Sequence, residues 1–248
     1  MGSKRTVWVL AGVIIFAATC GWAADGPNVQ VNAEAHNLLR QPDRYFDRRR
    51  PPKPMKENEA AFTEGVVRCR TEADAHANVK SGRKNQPCTA TITVEAVAVQ
   101  VRGDVTVYIP YRPEHGDRVD GQSWEVLKAH EEGHARIYRE VFALVGQPIA
   151  DAVFAKCPRA FNISIPACSD DEIRSRMDQQ LDVLLDALTA EAVSKITAVF
   201  REVNEAYDQA TDHGRRGPEG GKATAENQVQ AAEEAIGRFR NAYSYHQP

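Results

Sequence analysis

Apolar and polar positions alternate in two ways along this chain. Residues 89–111 carry β-branched residues at nearly every second position, which predicts two strands flanking a tight turn at residues 102–104. After Ser123, apolar residues recur at intervals of three and four over residues 124–145, which predicts an amphipathic helix that Gly-Gln-Pro at 146–148 ends. A β-hairpin beside an amphipathic helix indicates an α+β fold.

Two more helices are predicted downstream. Ser169 and Glu172 have the spacing of a capping box, and helical periodicity then continues to a stop at Gly214. Because roughly 40 residues at a rise of about 1.5 Å would make a helix of about 60 Å, we expect a kink or a break near Thr189. A third helix is predicted over residues 224–243, after a glycine-rich loop.

The first 60 residues have a different character. Lys4 and Arg5 precede a short apolar run, which predicts an export signal over residues 1–23 and a periplasmic or secreted mature protein without stable membrane insertion. Cys20 leaves a lipoprotein open as an alternative, and an uncleaved anchor is another. Residues 24–60 are polar and rich in proline and arginine, so we expect an exposed extension before a domain over residues 61–248.

Composition adds little to this picture. The 248 residues carry a formal net charge of −3, with 42% hydrophobic and 26% charged residues, which is ordinary for a soluble globular domain. A near-neutral balance gives no general attraction to nucleic acid, so no nucleic-acid partner is expected. The oligomeric state is not predicted.

Export would place the cysteines in an oxidising compartment. Four remain without Cys20, and an even number there favours disulfides over metal binding. We expect Cys69 to pair with Cys88 and Cys157 with Cys168, because each pair closes a short loop. A zinc site built from all four is the alternative, although no CxxC spacing is present.

The first predicted helix carries the main chemical signal, an HExxH motif made of His130, Glu131 and His134. Histidines four residues apart lie one turn apart, so both can bind one metal ion, and Glu131 can accept a proton from water that the metal activates. Both histidines fall on the apolar stripe of the helix. The alternative is a charged surface helix with two spectator histidines. A catalytic zinc also needs a third protein ligand.

Other segments accompany this motif in a specific order. Trp124 precedes it, residues 109–111 (Ile-Pro-Tyr) end the predicted hairpin, and residues 207–214 read YDQATDHG. Over about residues 60–245, this combination resembles a family of bacterial predicted zinc-dependent proteases filed as a domain of unknown function, in which HExxH is followed by Y-D-x-x-T-x-H-G.

The resemblance implies a fold and a site. The fold would be a minimal zincin-like domain, with the hairpin packed on the HExxH helix. One zinc ion per chain would be bound by His130, His134 and His213, and Glu131 would be the general base. Tyr207 and Asp208 would lie near the site.

Some of these roles have alternatives. Asp208 or Asp212 could bind the metal in place of His213, since carboxylates complete other HExxH sites, or could orient an imidazole. His213 could instead complement a helix dipole. Tyr207 could donate a hydrogen bond to a developing oxyanion, or could belong to the core.

The sequence therefore predicts an exported zinc-dependent peptidase, a hydrolase acting on peptide or protein substrates. Two interpretations from other classes stay open. In the first, zinc stabilises an exported protein without turnover. In the second, a helical adaptor docks a partner and its HExxH motif is incidental.

Overall fold

The computed structural model describes residues 2–7, 28–36, 44–46, 60–80, 86–111, 118–119 and 121–244, the first three ranges as backbone only. In these residues the α+β class is confirmed. The strands are β1 (Gly2–Val7), β2 (Asn28–His36), β3 (Arg44–Phe46), β4 (Phe62–Lys80), β5 (Cys88–Pro110), β6 (Arg118–Val119), β7 (Gln122–Ser123) and β8 (Ala160–Ile165). The helices are α1 (Trp124–Lys156), α2 (Asp170–Thr211) and α3 (Ala225–Ser244), with a 3-10 turn at Pro218–Gly220.

Six strands form one sheet in the order β1-β4-β5-β2, and β3 and β8 also pair with β5. Residues 81–87 join β4 to β5, and so short a connection between neighbouring strands requires antiparallel pairing. β8 runs antiparallel to the start of β5, with Cys88 opposite Ile165. β3 runs parallel to its end, and β6 and β7 form a separate small hairpin before α1.

The predicted hairpin within residues 89–111 is wrong, because β5 continues through the expected turn. The buried valines keep one alternation phase across it, from Val101 to Val105 and Val107. Close packing, rather than a turn, explains the glycine at position 103, because a Cβ atom there would lie 2.7 Å from the ring of Phe142 on α1. The hairpin that forms instead joins β4 and β5. Its first strand was missed because its regularly spaced buried residues are small or polar: Cys69, Thr71, Ala73 and Ala75.

The helices confirm most of the predicted boundaries. α1 begins at Trp124, but it continues past residues 146–148 to Lys156, so the predicted stop is wrong. Pro148 removes one backbone hydrogen bond, and the next two turns still bury Ala150 and Val153. α3 agrees with the prediction to within a residue at each end. Val229, expected on its buried stripe, is 42% exposed.

α2 also begins as predicted. The backbone N–H of Glu172 donates to Ser169 Oγ at 3.3 Å, which is the expected cap. The break expected near Thr189 is wrong, since the helix is continuous from Asp170 to Thr211. That expectation assumed one small domain, whereas α2 contributes residues to two compact units.

The chain divides into two compact units. Unit 1 comprises residues 1–34, 68–102 and 146–195, and unit 2 comprises residues 35–67, 103–145 and 196–248. The long elements β4, β5, α1 and α2 each contribute to both.

Unit 1 contains a disulfide that corrects the predicted pairing. Cys88 is bonded to Cys168, whereas Cys69 and Cys157 are free. The antiparallel pairing of β8 with β5 explains this bond, because Ile165 lies opposite Cys88 and the chain then brings Cys168 back to the same end. Burial raises the pKa of the Cys69 thiol to about 11, against the opposing effect of hydrogen bonds with two threonine hydroxyls.

Unit 2 has a core in which the end of β5 packs on the start of α1. The indole Nε1 of Trp124 donates to the carbonyl oxygen of Pro110 at 3.0 Å, which fixes the first turn of α1 to the strand. The end of β5 is therefore packed on the HExxH helix, although the predicted hairpin is absent from this part of the chain. The buried residues of this cluster are Ala61, Val105, Val107, Ile109, Val119, Trp124, Leu127 and Ala135.

The N-terminal predictions fall mostly outside the described residues. These include Cys20, the cleavage site at Ala23 and the Pro/Arg-rich run at residues 47–54. β1 lies inside the predicted signal and pairs with β4, so cleavage after Ala23 would remove it. β2 and β3 lie inside the segment predicted as an extension. Among the described residues, no helix combines the length and apolar character that crossing a membrane requires.

Candidate metal centre

Two imidazoles on α1 face each other in unit 2. The side chains of His130 and His134 are 5% and 13% exposed, and their Nε2 atoms lie 3.2 Å apart. The four-residue spacing places both rings on the same face of the helix, as the sequence predicted.

Asp208 on α2 completes a group of three. Its Oδ1 atom lies 3.3 Å from Nε2 of His130 and 3.1 Å from Nε2 of His134. These three residues offer ligand atoms that all lie within 4.8 Å of one another, so the group could hold a metal ion. Oδ1 is also buried, and apart from the nearby histidine nitrogens it has no hydrogen-bond partner among the described residues, which suits an atom positioned to bind a cation.

The carboxylate of this group and the imidazole of His134 shift each other's pKa toward their charged forms. Burial by itself would raise the pKa of Asp208, but the two imidazoles outweigh it and hold that pKa well below its usual range. Burial would likewise lower the pKa of His134, but the carboxylates of Asp208 and Glu131 raise it. The carboxylate therefore stays ionised and favours positive charge beside it.

Tyr207 holds the two rings in place. It is fully buried, stacks on His130 at a centroid distance of 4.9 Å and meets His134 edge-on at the same distance. Its hydroxyl donates to the backbone oxygen of His130 at 3.3 Å, and burial raises the pKa of the phenol far above its usual value. A Cβ atom at Gly133 would lie 2.4 Å from this hydroxyl, so the motif needs glycine there.

A left-handed turn follows α2. Asp212, His213 and Gly214 have φ angles of 48°, 52° and 78°. A Cβ atom at Gly214 would lie 3.0 Å from Cγ of His130, so both its conformation and the space require glycine. The hydroxyl of Thr211 donates to the carbonyl oxygen of Tyr207 at 2.9 Å and closes the last helical turn. Residues 207–214, which the resemblance marks as functional, thus pack directly against the imidazole of His130.

The two other predicted ligands lie outside the group of three. The side chain of His213 is 72% exposed, and its Nδ1 atom lies 3.5 Å from Oδ1 of Asp208. The carboxylate of Asp212 lies 3.4 Å from Nε of Arg216. The structure therefore brings Asp208, one of the alternatives left open, into contact with both histidines of the motif.

A hydrogen bond from a strand of the sheet fixes the side chain of Glu131. Its side chain is buried, and Oε2 accepts a hydrogen bond from the hydroxyl of Thr63 on β4 at 2.6 Å. The same hydroxyl lies 3.1 Å from the backbone oxygen of Glu131. Sequence reasoning missed Thr63, because β4 carries no strong alternation of large apolar residues.

Two amide side chains contact the far side of the imidazoles. Nδ1 of His134 lies 2.6 Å from Oδ1 of Asn204, and Nδ1 of His130 lies 3.1 Å from Oε1 of Gln228. Both amides are buried. Sequence reasoning missed them too, although Asn204 stands four residues before Asp208 and therefore shares its face of α2.

No family model, curated protein or solved structure matches this chain. The resemblance to zinc-dependent proteases stays a prediction, and function has to be argued from the site itself.

Proposed function

We propose that this protein is an exported zinc-dependent peptidase whose metal is bound by His130, His134 and Asp208. The observation that carries the proposal is the convergence of two imidazole nitrogens and one carboxylate oxygen from two helices. Nitrogen and oxygen donors of this kind form the three-ligand sites of catalytic zinc, which leave a position open for substrate or water.

The spacing of the donors fits this ion. Ligand atoms about 2.0–2.1 Å from a tetrahedral zinc ion lie about 3.3 Å from one another. The three separations here are 3.1, 3.2 and 3.3 Å. Two neutral imidazoles with one carboxylate would leave a single net positive charge at the site, which favours an electrophilic metal.

The chemistry divides between the metal and the chain. When bound, zinc supplies a Lewis acid that lowers the pKa of water to about 7 and polarises a carbonyl group. Glu131 is the carboxylate available to take a proton and to return it to the leaving amine. Its hydrogen bond from Thr63 fixes one oxygen, so the other is available for that transfer. Tyr207 has its hydroxyl on the backbone and serves as packing.

Export is supported by the disulfide. Cys88–Cys168 joins residues that are 80 positions apart, and such bonds persist mainly in oxidising compartments. A peptidase of the periplasm or the extracellular space, acting on peptides or proteins, agrees with this bond and with the predicted signal.

The test combines elemental analysis with peptide cleavage. We expect one zinc ion per chain in the full-length protein and cleavage of a mixed peptide library. Glu131→Gln should retain zinc and lose activity about 10²–10⁴-fold, the usual contribution of a general base. The adjacent exposed residue provides a matched control, since Glu132→Gln should retain both. A folded protein that takes up no zinc would refute the proposal.

A zinc ion that only stabilises the fold is the second candidate. It is favoured by the way the site ties α1, α2 and α3 together through His130, Asp208 and Gln228. It predicts that zinc raises the melting temperature and that neither wild type nor Glu131→Gln cleaves any peptide.

A further inference from the structure

The amides of Asn204 and Gln228 can each face their imidazole in one orientation only. The NH₂ group of Gln228 donates to the backbone oxygen of Arg216 at 2.8 Å. That of Asn204 donates to the backbone oxygen of Phe200 at 2.7 Å. Turning either amide over would set its oxygen against a carbonyl oxygen, so the amide oxygens must be the atoms that face the rings.

This orientation determines where each imidazole carries its proton. An amide oxygen only accepts, so the Nδ1 atoms of His134 and His130, at 2.6 and 3.1 Å, must be the donors. A neutral imidazole with its proton on Nδ1 has a lone pair on Nε2. Both Nε2 lone pairs then point toward Asp208. When both rings are neutral, Oδ1 of Asp208 and the two Nε2 atoms are therefore all acceptors, which a cation bound among them would satisfy.

We infer that Asn204 and Gln228 are positioning residues that hold His130 and His134 as Nδ1–H tautomers, so that both Nε2 atoms are ready to bind a divalent cation. The inference rests on the metal-dependent function proposed above. It adds a physical reason why the site could bind a metal directly. The two uncharged amide acceptors on α2 and α3 keep the imidazole protons on Nδ1, so neither ring has to change tautomer when the metal binds.

The neutrality of these acceptors has a chemical consequence. A carboxylate behind a metal-binding histidine makes the ring a stronger ligand and donates more negative charge toward the metal. An amide orients the ring with less of that charge, which leaves the metal more electrophilic. Asn204→Asp should therefore keep the tautomer of His134 and bind zinc at least as tightly as wild type.

The first measurement needs no metal and no activity. Nitrogen-15 NMR of the zinc-free full-length protein, recorded over a pH series so that each ring is observed with a single proton, reports which nitrogen of each ring carries it. Protonated Nδ1 and unprotonated Nε2 in both rings is the expected result. A proton on Nε2 of either ring would overturn the inference and leave zinc binding itself open. An absence of zinc binding by a protein with the expected tautomers would instead refute the proposed function.

The second measurement is zinc affinity, determined by competition with a chelator. Asn204→Leu and Gln228→Leu should each weaken zinc binding about 10–100-fold, the usual effect of removing such a partner. Gln180→Leu, at an exposed position of α2, is the matched control and should leave affinity unchanged. Affinities within twofold of wild type in both test variants would contradict the inference. The tautomer measurement uses wild type alone. It can therefore still refute the inference if one of the variants folds poorly.

Discussion

Each unit buries polar side chains against α2, with the partner on β4 in unit 1 and on α1 in unit 2, and the two arrangements differ. In unit 1 the hydroxyls of Thr71 on β4 and Thr189 on α2 lie 2.7 Å apart and satisfy each other. In unit 2 two imidazole nitrogens and the carboxylate of Asp208 face one another. A hydroxyl both donates and accepts, so two hydroxyls need nothing further, whereas a carboxylate beside two ring nitrogens needs positive charge, from a proton or from a metal ion. The comparison separates buried polar groups that satisfy each other from buried polar groups that could hold a metal ion.

The largest expected effect is the loss of metal from unit 2. Asp208→Ala should reduce zinc from one ion per chain to none in a folded protein, because only two ligands remain. His213→Ala should retain zinc, since that imidazole is exposed and outside the group of three. Elemental analysis of both variants shows whether Asp208 or His213 is the third ligand. The reverse result would restore the ligand set that the family resemblance implies.

In unit 1 the largest expected effect comes from the disulfide. Cys88→Ser opens a loop closed over 80 residues and should lower the free energy of unfolding by about 4.5 kcal/mol on the chain-entropy model. Denaturant unfolding measures it. Cys157→Ser is the matched control, because that thiol is free and should cost little. Equal losses in the two variants would favour the pairing expected from sequence.

Two helical glycines of unit 2 sharpen the comparison further. Gly133→Ala places a methyl group against Tyr207 and should cost about 1–3 kcal/mol of stability, together with zinc affinity as the rings shift. Gly237→Ala on α3 meets no atom within 4 Å and should stabilise by up to about 1 kcal/mol. Thermal unfolding of both variants tests the difference. If both changes stabilise the protein, Tyr207 does not pack where the structure places it.

The smallest effect is expected for the threonine pair of unit 1. Thr71→Val or Thr189→Val should cost about 1 kcal/mol, because one buried hydroxyl loses its main partner while Cys69 remains as a weak one. The double variant should be close to wild type in stability, since two matched apolar groups replace the pair. A double-mutant cycle in denaturant measures this. Additive losses would mean that the hydroxyls do not depend on each other.

Local patterns predicted local structure well. The start of α1, the cap of α2, the bounds of α3 and the proximity of His130 and His134 all depend on residues within a few positions of one another. Periodicity and capping encode such contacts directly. Gly103 shows the limit of local reasoning, because a glycine between two β-branched runs looks like a turn unless the ring of Phe142 is known to pack against it.

Contacts between distant segments were not predictable in this way. The partner of Cys88 depends on the register of β8, and the contact of Thr63 with Glu131 depends on a strand that was not predicted. In the sequence, Asn204 and Gln228 are each visible only as a polar residue on the otherwise apolar stripe of a helix. Such a residue marks a buried polar contact but does not identify its partner.

The contact between His130 and Gln228 spans 98 residues of the chain. Contacts of such long sequence separation form late in folding, because the entropy of closing the loop must be overcome before the contact contributes any energy. The two histidines meet as soon as α1 forms, but the proton arrangement inferred for them is complete only when α3 has docked. Folding of the C-terminal helix, rather than the supply of metal, would then set the moment at which the centre becomes competent.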